Sequence, residues 1–459
     1  MTKEIYTSHS KQLIPFYLSN TNYSDIEKLG IFEINKYSLT HLNPNICQKL
    51  SSKTSSEIGR SYALKLEARK LFDLPSNNST IEFSTRNNNT FYVKLRNVYL
   101  HIFETNVGFL EFEWEILADN MLDYINANYF LNELKSNENK FYVKTGINEK
   151  KELNFIQTTQ KIFDLIKNVE YFTNNSNNKL SNTLTLTYTT IMLNSKNENI
   201  NDYLNKLKNN FKESYLTVES NNYHPFENLY WAGSLRGCVN ISYLTGKQGP
   251  DTFLKNTIES YANNSYFYLY LLVLNQRFTI QKQIEKLSNI DKNLIKHDEN
   301  VLDDEINNIN ELLIESNLFS TRCEFNLPSE IDHINEFYNE IRKNQKIDIL
   351  TADFNNKLKS TKDLLDNYKI IKTEKLNRKR NKFTLFAYIL TEILGTIAIF
   401  KTTYEIIQIF SSLTNATNIL LKIIPAIITV IFFISVAIQI WIKIKALLKT
   451  NKKSNTKNK

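Results

Sequence analysis

The sequence predicts an α+β domain followed by a long helical stalk and two C-terminal transmembrane helices. Three observations carry this expectation. Two long apolar runs lie near the C-terminus; the chain from Pro328 to Pro425 holds a single glycine, Gly395, and no other proline; and Thr80–Ile116 alternates apolar and polar residues with the period of strands. With only 9 Gly and 7 Pro in 459 residues, long uninterrupted elements are favoured over a many-turned all-β chain. The expected organisation is an α+β domain over 1–250, a helical stalk region over 251–382, a two-helix membrane domain over 383–442 and a basic tail over 443–459.

In chain order, TIEFSTR, an Asn87-Asn88-Asn89 turn and TFYVKLRNVYLHIFETNVGFLEFEWEI predict three or four antiparallel strands, with a further turn at Thr105-Asn106-Val107-Gly108. A helical pattern follows over Leu117–Leu134, and Thr183–Leu193 reads as a strand. Asn-rich tracts such as Asn174–Asn178 read as loops. Helices are expected over Tyr266–Ser288, strongly apolar at its start, and over Val301–Leu318. Leu327-Pro328-Ser329-Glu330-Ile331-Asp332 is a helix-start pattern, with Ser329 as the cap and Asp332 three residues on. Nothing in the sequence interrupts a helix from there into the first apolar run, some seventy residues, or roughly 100 Å at 1.5 Å per residue. Its positions Ile347, Leu350, Phe354, Leu358, Thr361, Leu365 and Tyr368 recur every three or four residues, a seam for its own domain or for copies of itself.

The apolar runs are Phe383–Phe400 and Ile419–Ile442, the second long enough to cross a bilayer and the first so if its helix continues toward Phe410. The formal charge of +8 (56 Lys+Arg, 48 Asp+Glu) is unevenly spread. Residues 372–459 hold 15 Lys/Arg and 3 Asp/Glu, a net +12, so 8 − 12 leaves −4 on the first 371. The body is not basic, and direct DNA or RNA binding is not expected. Lys and Arg flank the runs on their outer sides, while the connector 401–418 has one Lys and one Glu. The positive-inside rule then places both termini in the cytoplasm of a multi-pass protein of the bacterial inner membrane. No apolar leader opens the chain, and three widely spaced cysteines, Cys47, Cys238 and Cys323, fit a reducing compartment.

No HExxH, GxSxG or zinc-spaced Cys pair occurs, so no catalytic assignment follows. Leu244-Thr245-Gly246-Lys247-Gln248 lacks the first glycine and the Ser/Thr of a P-loop. Three of the nine glycines fall between Gly233 and Gly246. Trp231, Ser234, Arg236 and Asn240 are the ligand-binding candidates there, because glycine admits close approach, arginine clamps an anion and an aromatic ring stacks on a base. The alternative is a loop with a buried Trp and a structural Arg. Asp303, Asp304 and Glu305 could bind a divalent cation or form a solvated helix start. Thr384, Thr391, Glu392 and Thr396 are the pore-lining candidates of the first run, where a carboxylate is expensive unless it faces protein or water.

This order of parts resembles the CorA family of divalent-cation channels, from about Asp251 to the end and more loosely before it. The resemblance implies a homopentamer with a pore lined by the first span. The family's Gly-Met-Asn filter is absent: the corresponding stretch reads Phe400-Lys401-Thr402-Thr403-Tyr404-Glu405-Ile406, and the methionines are Met1, Met121 and Met192. CorA-like proteins without the filter resemble membrane effectors of type III CRISPR antiviral systems, and VYLHIFETNVGFLEFEWE (Val98–Glu115) is similar to a hairpin of that group. The resemblance implies a non-enzymatic effector acting on the lipid bilayer, controlled by a small nucleotide messenger such as a cyclic oligoadenylate or adenylated S-adenosylmethionine. The rival expectation is a magnesium-type cation transporter with an altered filter.

Overall fold

The computed structural model describes residues 3–19, 23–35, 39–51, 57–85, 89–132, 140–144, 150–172, 180, 183–213, 222–295 and 302–413, with scattered positions between 423 and 445. Asn87, Asn88, the 174–178 tract, the second apolar run except for isolated helical positions, and the basic tail except for Lys445 lie outside the described residues. The chain divides into two units, Met1–Thr361 and Lys362–Lys459.

The first unit is built on one mixed sheet. Its strands are β1 (Ile5–Leu18), β2 (Phe32–Ile34), β3 (Gly59–Leu64), β4 (Ile81–Ser84), β5 (Thr90–Phe103), β6 (Val107–Ile116), β7 (Lys140–Lys144), β8 (Lys150–Leu153), β9 (Val169–Tyr171), β10 (Leu186–Leu193), β11 (Tyr223–Phe226), β12 (Leu229–Gly233) and β13 (Gly237–Tyr243). They run in the order β11-β12-β13-β10-β1-β6-β5-β4-β7-β8, with β3 on β5, β2 on β3 and β9 on β1. Among the described pairs only β10 and β13 are parallel. The expected strands of Thr80–Ile116 are β4, β5 and β6, and Asn106 turns the β5–β6 hairpin with φ 67°.

The helices are α1 (Tyr23–Lys28), α2 (Pro44–Ser51), α3 (Met121–Leu131), α4 (Phe155–Ile166), α5 (Ile200–Asn209), α6 (Gln248–Phe253), α7 (Glu259–Asn263), α8 (Ser265–Ile295), α9 (Leu302–Cys323), α10 (Asp332–Asn344) and α11 (Ile347–Leu413). Strand alternation separates two cores. Leu110, Phe112 and Trp114 of β6 face the side covered by α3, α4 and α5, while Val107 and Phe109 face α8, α9 and α10. Helices on both faces of a mixed sheet make the unit α/β, where the sequence pattern predicted α+β. Helices expected in a separate stalk region belong to this unit through Thr361, because α8 is core on every side: all residues from Tyr266 to Leu274 are buried.

The expected single helix from Ser329 is two. α10 starts at Asp332 with Ile331 at its cap and no side-chain cap bond. Ser329 Oγ accepts from Ile331 N at 3.1 Å, and Asn335 brackets Ser329 through Ser329 N–Oδ1 (3.0 Å) and Nδ2–Ser329 O (2.9 Å), so Asn335 replaces the expected Ser329–Asp332 box. The chain breaks again at Lys346, whose φ is +59°, before α11 begins. Neither Gly nor Pro marks this break. Ile347 and Phe354 of α11 are buried in the α8-side core, and Leu350 and Leu358 pack against it, so this part of the seam closes on its own domain. Further along, α11 contains a stretch long and apolar enough to cross a membrane, none of it buried.

A charge cluster sits in the sheet beneath α8. Lys11 Nζ lies 2.7 Å from Glu111 Oε1 and 3.6 Å from Glu113 Oε1, and 4.4 Å above the Phe267 ring. His101 Nε2 is 2.7 Å from Glu111 Oε2, its Nδ1 is 2.7 Å from Ser61 Oγ, and Tyr268 OH donates to Ser61 Oγ at 2.6 Å. Lys11, Glu111 and His101 are all nearly inaccessible. Burial draws the Lys11 ammonium down, but Glu111 and Glu113 outweigh it and hold its pKa above the lysine value. Burial pushes the Glu111 carboxyl up, but Lys11 and His101 outweigh it and hold it below the usual 4.5. Stability from Glu111 is therefore present above pH 4.5 and is lost as pH falls through the depressed folded value; stability from Lys11 is present below 10.5 and is lost as pH rises through the raised one. Lys11→Met leaves a buried carboxylate without its cation and should cost about 3–5 kcal/mol at neutral pH. Urea unfolding at pH 7 and pH 4 should show this cost shrinking on acidification, and Lys11→Met/Glu111→Leu should recover part of it.

Candidate functional site: a cleft and the polar core behind it

The middle of α8 interrupts its apolar run with Asn275, Gln276 and Arg277, all buried. Successive helical residues point about 100° apart, so the three reach different neighbours. Asn275 Oδ1 accepts from Thr105 Oγ1 of the β5–β6 turn at 2.6 Å and from Thr279 Oγ1 at 3.3 Å. Gln276 Nε2 donates to Cys323 O at the end of α9 (2.8 Å) and to Tyr338 OH of α10 (2.9 Å). Arg277 Nη1 donates to Leu235 O in the β12–β13 turn and to Gln345 Oε1 at the α10–α11 break, both at 2.7 Å. Gln345 Nε2 then donates to Ser234 O at 2.6 Å. Burial holds the Arg277 guanidinium below its usual pKa, with Tyr270 opposing.

On the outer side of this core is a cleft of about 240 Å³ between the β5–β6 turn, α8 and α9. Thr105 and Thr279 line it and Asn275 lies behind them, its Nδ2 buried with no hydrogen-bond partner. Charges alternate around the wall: Arg322 Nη2 pairs with Glu104 Oε2 at 2.8 Å, Lys286 Nζ with Glu315 Oε2 at 2.7 Å, and Lys282 Nζ with Glu170 Oε2 at 2.9 Å. Burial raises the Glu104 carboxyl despite Arg322. Burial lowers the Lys282 ammonium, but Glu170 and Glu285 outweigh it and leave it raised. Tyr17, Leu318 and Phe319 supply the apolar wall. An anionic ligand can exchange for Glu104 and Glu315 on Arg322 and Lys286, so the arrangement is suited to binding.

The candidates from the sequence fall elsewhere. Trp231 is 1% exposed, stacked on Tyr266 with ring centroids 4.9 Å apart and tilted against Phe337. Asn240 is buried and donates to Tyr230 O at 3.1 Å. These two are core residues, and the ring and amide are committed to the fold. Ser234 and Arg236 form the tip of the β12–β13 turn, where Ser234 Oγ donates to Lys208 O and accepts from Arg236 N. Gly233 packs closely beside them, where a Cβ would come within 2.8 Å of Asn344 Nδ2 at the end of that side chain. Arg236 is exposed, and the four residues share neither of the clefts described, the second lying between the start of β1 and the end of β6. The near-P-loop is closed by its own chain: Asp251 accepts from Thr245 N and Gly246 N at 2.8 and 2.9 Å.

Glu305 is buried and accepts from Asn308 Nδ2 at 3.0 Å, whereas Asp304 is exposed; nothing is described for the Asp303 side chain. Among the described residues no three His, Cys, Asp or Glu side chains converge as a metal site. Thr384, Thr391, Glu392 and Thr396 all lie on α11. The three threonines turn their hydroxyls back onto Arg380 O, Ala387 O and Glu392 O, and Tyr388 OH donates to Glu392. Tyr388, Glu392 and Thr396, four residues apart, make a polar stripe among exposed Phe, Leu and Ile. No family model matches the chain, and no curated protein matches it.

Gln345 is the element that sequence patterning missed. The apolar positions Ile334, Tyr338 and Ile341 of α10 would continue to 345 and 348, yet the next apolar residue is Ile347, a slip of phase that marks the break. Gln345→Ala should remove two hydrogen bonds and destabilise by about 1–3 kcal/mol. Hydrogen exchange should then speed up at 344–350 more than in β5 or β6, and uniform acceleration would show that the break has no local anchor.

Proposed function

We propose that the chain is a membrane effector in which the α/β unit binds a small anionic messenger and α11 transmits the event to a pore or lesion in the bilayer. The observation that carries this reading is α11 itself. One unbroken helix has its first turns in the α/β core, at Ile347 and Phe354, and also contains the stretch apolar enough to span a membrane. Leaving Phe383, Phe386, Leu394 and Ile397 in water would forgo roughly 1.5–3 kcal/mol each, together a large part of the ~5–15 kcal/mol that keeps a domain folded. Lipid and copies of the same chain are the partners that suit that face, as in the pentameric CorA-like arrangement the sequence resembles. Under this reading Ile419–Ile442 is the second span, both termini are cytoplasmic, and Tyr388, Glu392 and Thr396 face the pore.

The messenger site in this proposal is the cleft of Arg322 and Lys286, in preference to the Arg236 turn. Its volume is below the ~300–1,000 Å³ of drug-sized ligand sites, so one chain holds about one nucleotide unit and a larger messenger uses several copies. The messenger must bind the open state better than the closed one by a few kcal/mol to reverse the population. The role proposed is that of an antiviral effector of the type III CRISPR kind, answering a cyclic oligoadenylate or adenylated S-adenosylmethionine. Dye-loaded liposomes carrying the full chain should leak on addition of one of these and should not leak with Arg322→Ala/Lys286→Ala. Sealed liposomes under saturating, demonstrated binding would sink the gating reading. Rescue of a magnesium-transport-deficient strain would instead support the transporter.

A further inference from the structure

The cations ahead of the apolar stretch of α11 form a second surface. Between Lys372 and Lys382 stand Lys372, Lys375, Arg378, Lys379, Arg380 and Lys382 against one acid, Glu374, and from Lys375 to Lys382 every side chain is exposed. Lys372, Lys375, Lys379 and Lys382 follow spacings of three, four and three, so they form one face of the helix. They take up the register of Leu358, Thr361, Leu365 and Tyr368, changing the helix face from apolar to basic. Glu374 lies 3.6 Å from Arg378, and no acid lies within four positions of Lys379, Arg380 or Lys382.

We infer that Lys379, Arg380 and Lys382 are a binding surface for the phosphates of anionic phospholipids. Phe383 opens the apolar stretch, so these three stand within about 6 Å of its boundary along the helix axis, inside the headgroup layer. Lys372 and Lys375 stand about 12–16 Å away, beyond the ~8 Å screening length of physiological salt. The two groups therefore differ in what a lipid charge does to them. Each cation near an anionic surface favours association by roughly fivefold, and Lys379, Arg380 and Lys382 carry that effect while Lys372 and Lys375 carry little. The inference rests on the membrane placement of α11 and is independent of gating and of the messenger.

The test uses the full chain in vesicles of phosphatidylcholine alone and of an equal mixture with phosphatidylglycerol, with spin-labelled versions of each lipid as probes. Labelled phosphatidylglycerol should associate at least fivefold more strongly than labelled phosphatidylcholine, and added salt should reduce the preference. Lys379→Gln/Arg380→Gln/Lys382→Gln should bring the two lipids close to parity, whereas Lys372→Gln/Lys375→Gln should keep most of the preference. An unchanged thermal midpoint in detergent checks that both variants fold. Parity in the unaltered chain, or equal loss in the two variants, overturns the inference. Displacement of the lipid by millimolar inorganic phosphate, beyond the effect of chloride at equal ionic strength, also overturns it in favour of a soluble anion. Release from both vesicle types by alkaline washing would reject the membrane placement itself; retention with parity would reject only the lipid surface.

Discussion

The structure of the α/β unit depends on burying a helix that is apolar on every side and still carries three polar side chains in its middle. α8 has no solvent face from Tyr266 to Leu274, so Asn275, Gln276 and Arg277 must be satisfied by protein. Their partners are the β5–β6 turn, the end of α9, α10, the β12–β13 turn and the α10–α11 break. An unmade bond to a buried guanidinium costs more than a neutral one, so Arg277 fixes the Leu235 carbonyl and Gln345 most tightly. The break at Lys346 comes directly after this anchored residue, whose own N–H still makes the last helical bond of α10, to Ile341 O at 2.9 Å.

The sheet solves a similar problem with charge. Lys11 and Glu111 are taken wholly out of water, which is unfavourable for each alone, and the loss is offset only because His101, Ser61 and Tyr268 continue the hydrogen-bond chain. Each member comes from a different strand or from α8, so the network fixes the register of β3, β5, β6 and β1 together. A slip of one residue in β1 or β6 would turn Lys11 or Glu111 into the opposite core, beside Phe112 or Leu110.

Periodicity revealed much of this fold and little of the site. The strands from Ile81 to Ile116, the strand at Leu186–Leu193, α8, α9 and the apolar part of α11 follow from alternation or helical spacing, which is set by burial along the chain itself. Trp231 and Arg236 stand beside Gly233 and Gly237, and those two glycines serve close packing of a tight hairpin against α10 and β10. The cleft could not be read in the same way. Its wall joins Glu104, Lys286 and Arg322 from three elements far apart in sequence, and only the tertiary arrangement brings them together. The sequence did contain one sign of it, three consecutive polar residues in the middle of an apolar helix.

The polar core also gives the proposed signalling route a plausible strength. Thr105 at the cleft and Gln345 at the α10–α11 break are joined through Asn275 and Arg277, two positions apart on α8. Hydrogen bonds of a charged Arg contribute about 1.5–3 kcal/mol each, close to the few kcal/mol needed to reverse a two-state population. A latch much weaker than this would leave α11 independent of the cleft, and a much stronger one could not be released by a small ligand. Two buried donors in this chain of contacts have no hydrogen-bond partner, Asn275 Nδ2 and Arg277 Nε, and Asn275 Nδ2 is the one next to the threonines that line the cleft. A ligand group that reached Asn275 Nδ2 from the side of Thr105 and Thr279 would gain a hydrogen bond there, the kind of state-dependent contact the proposed switch requires.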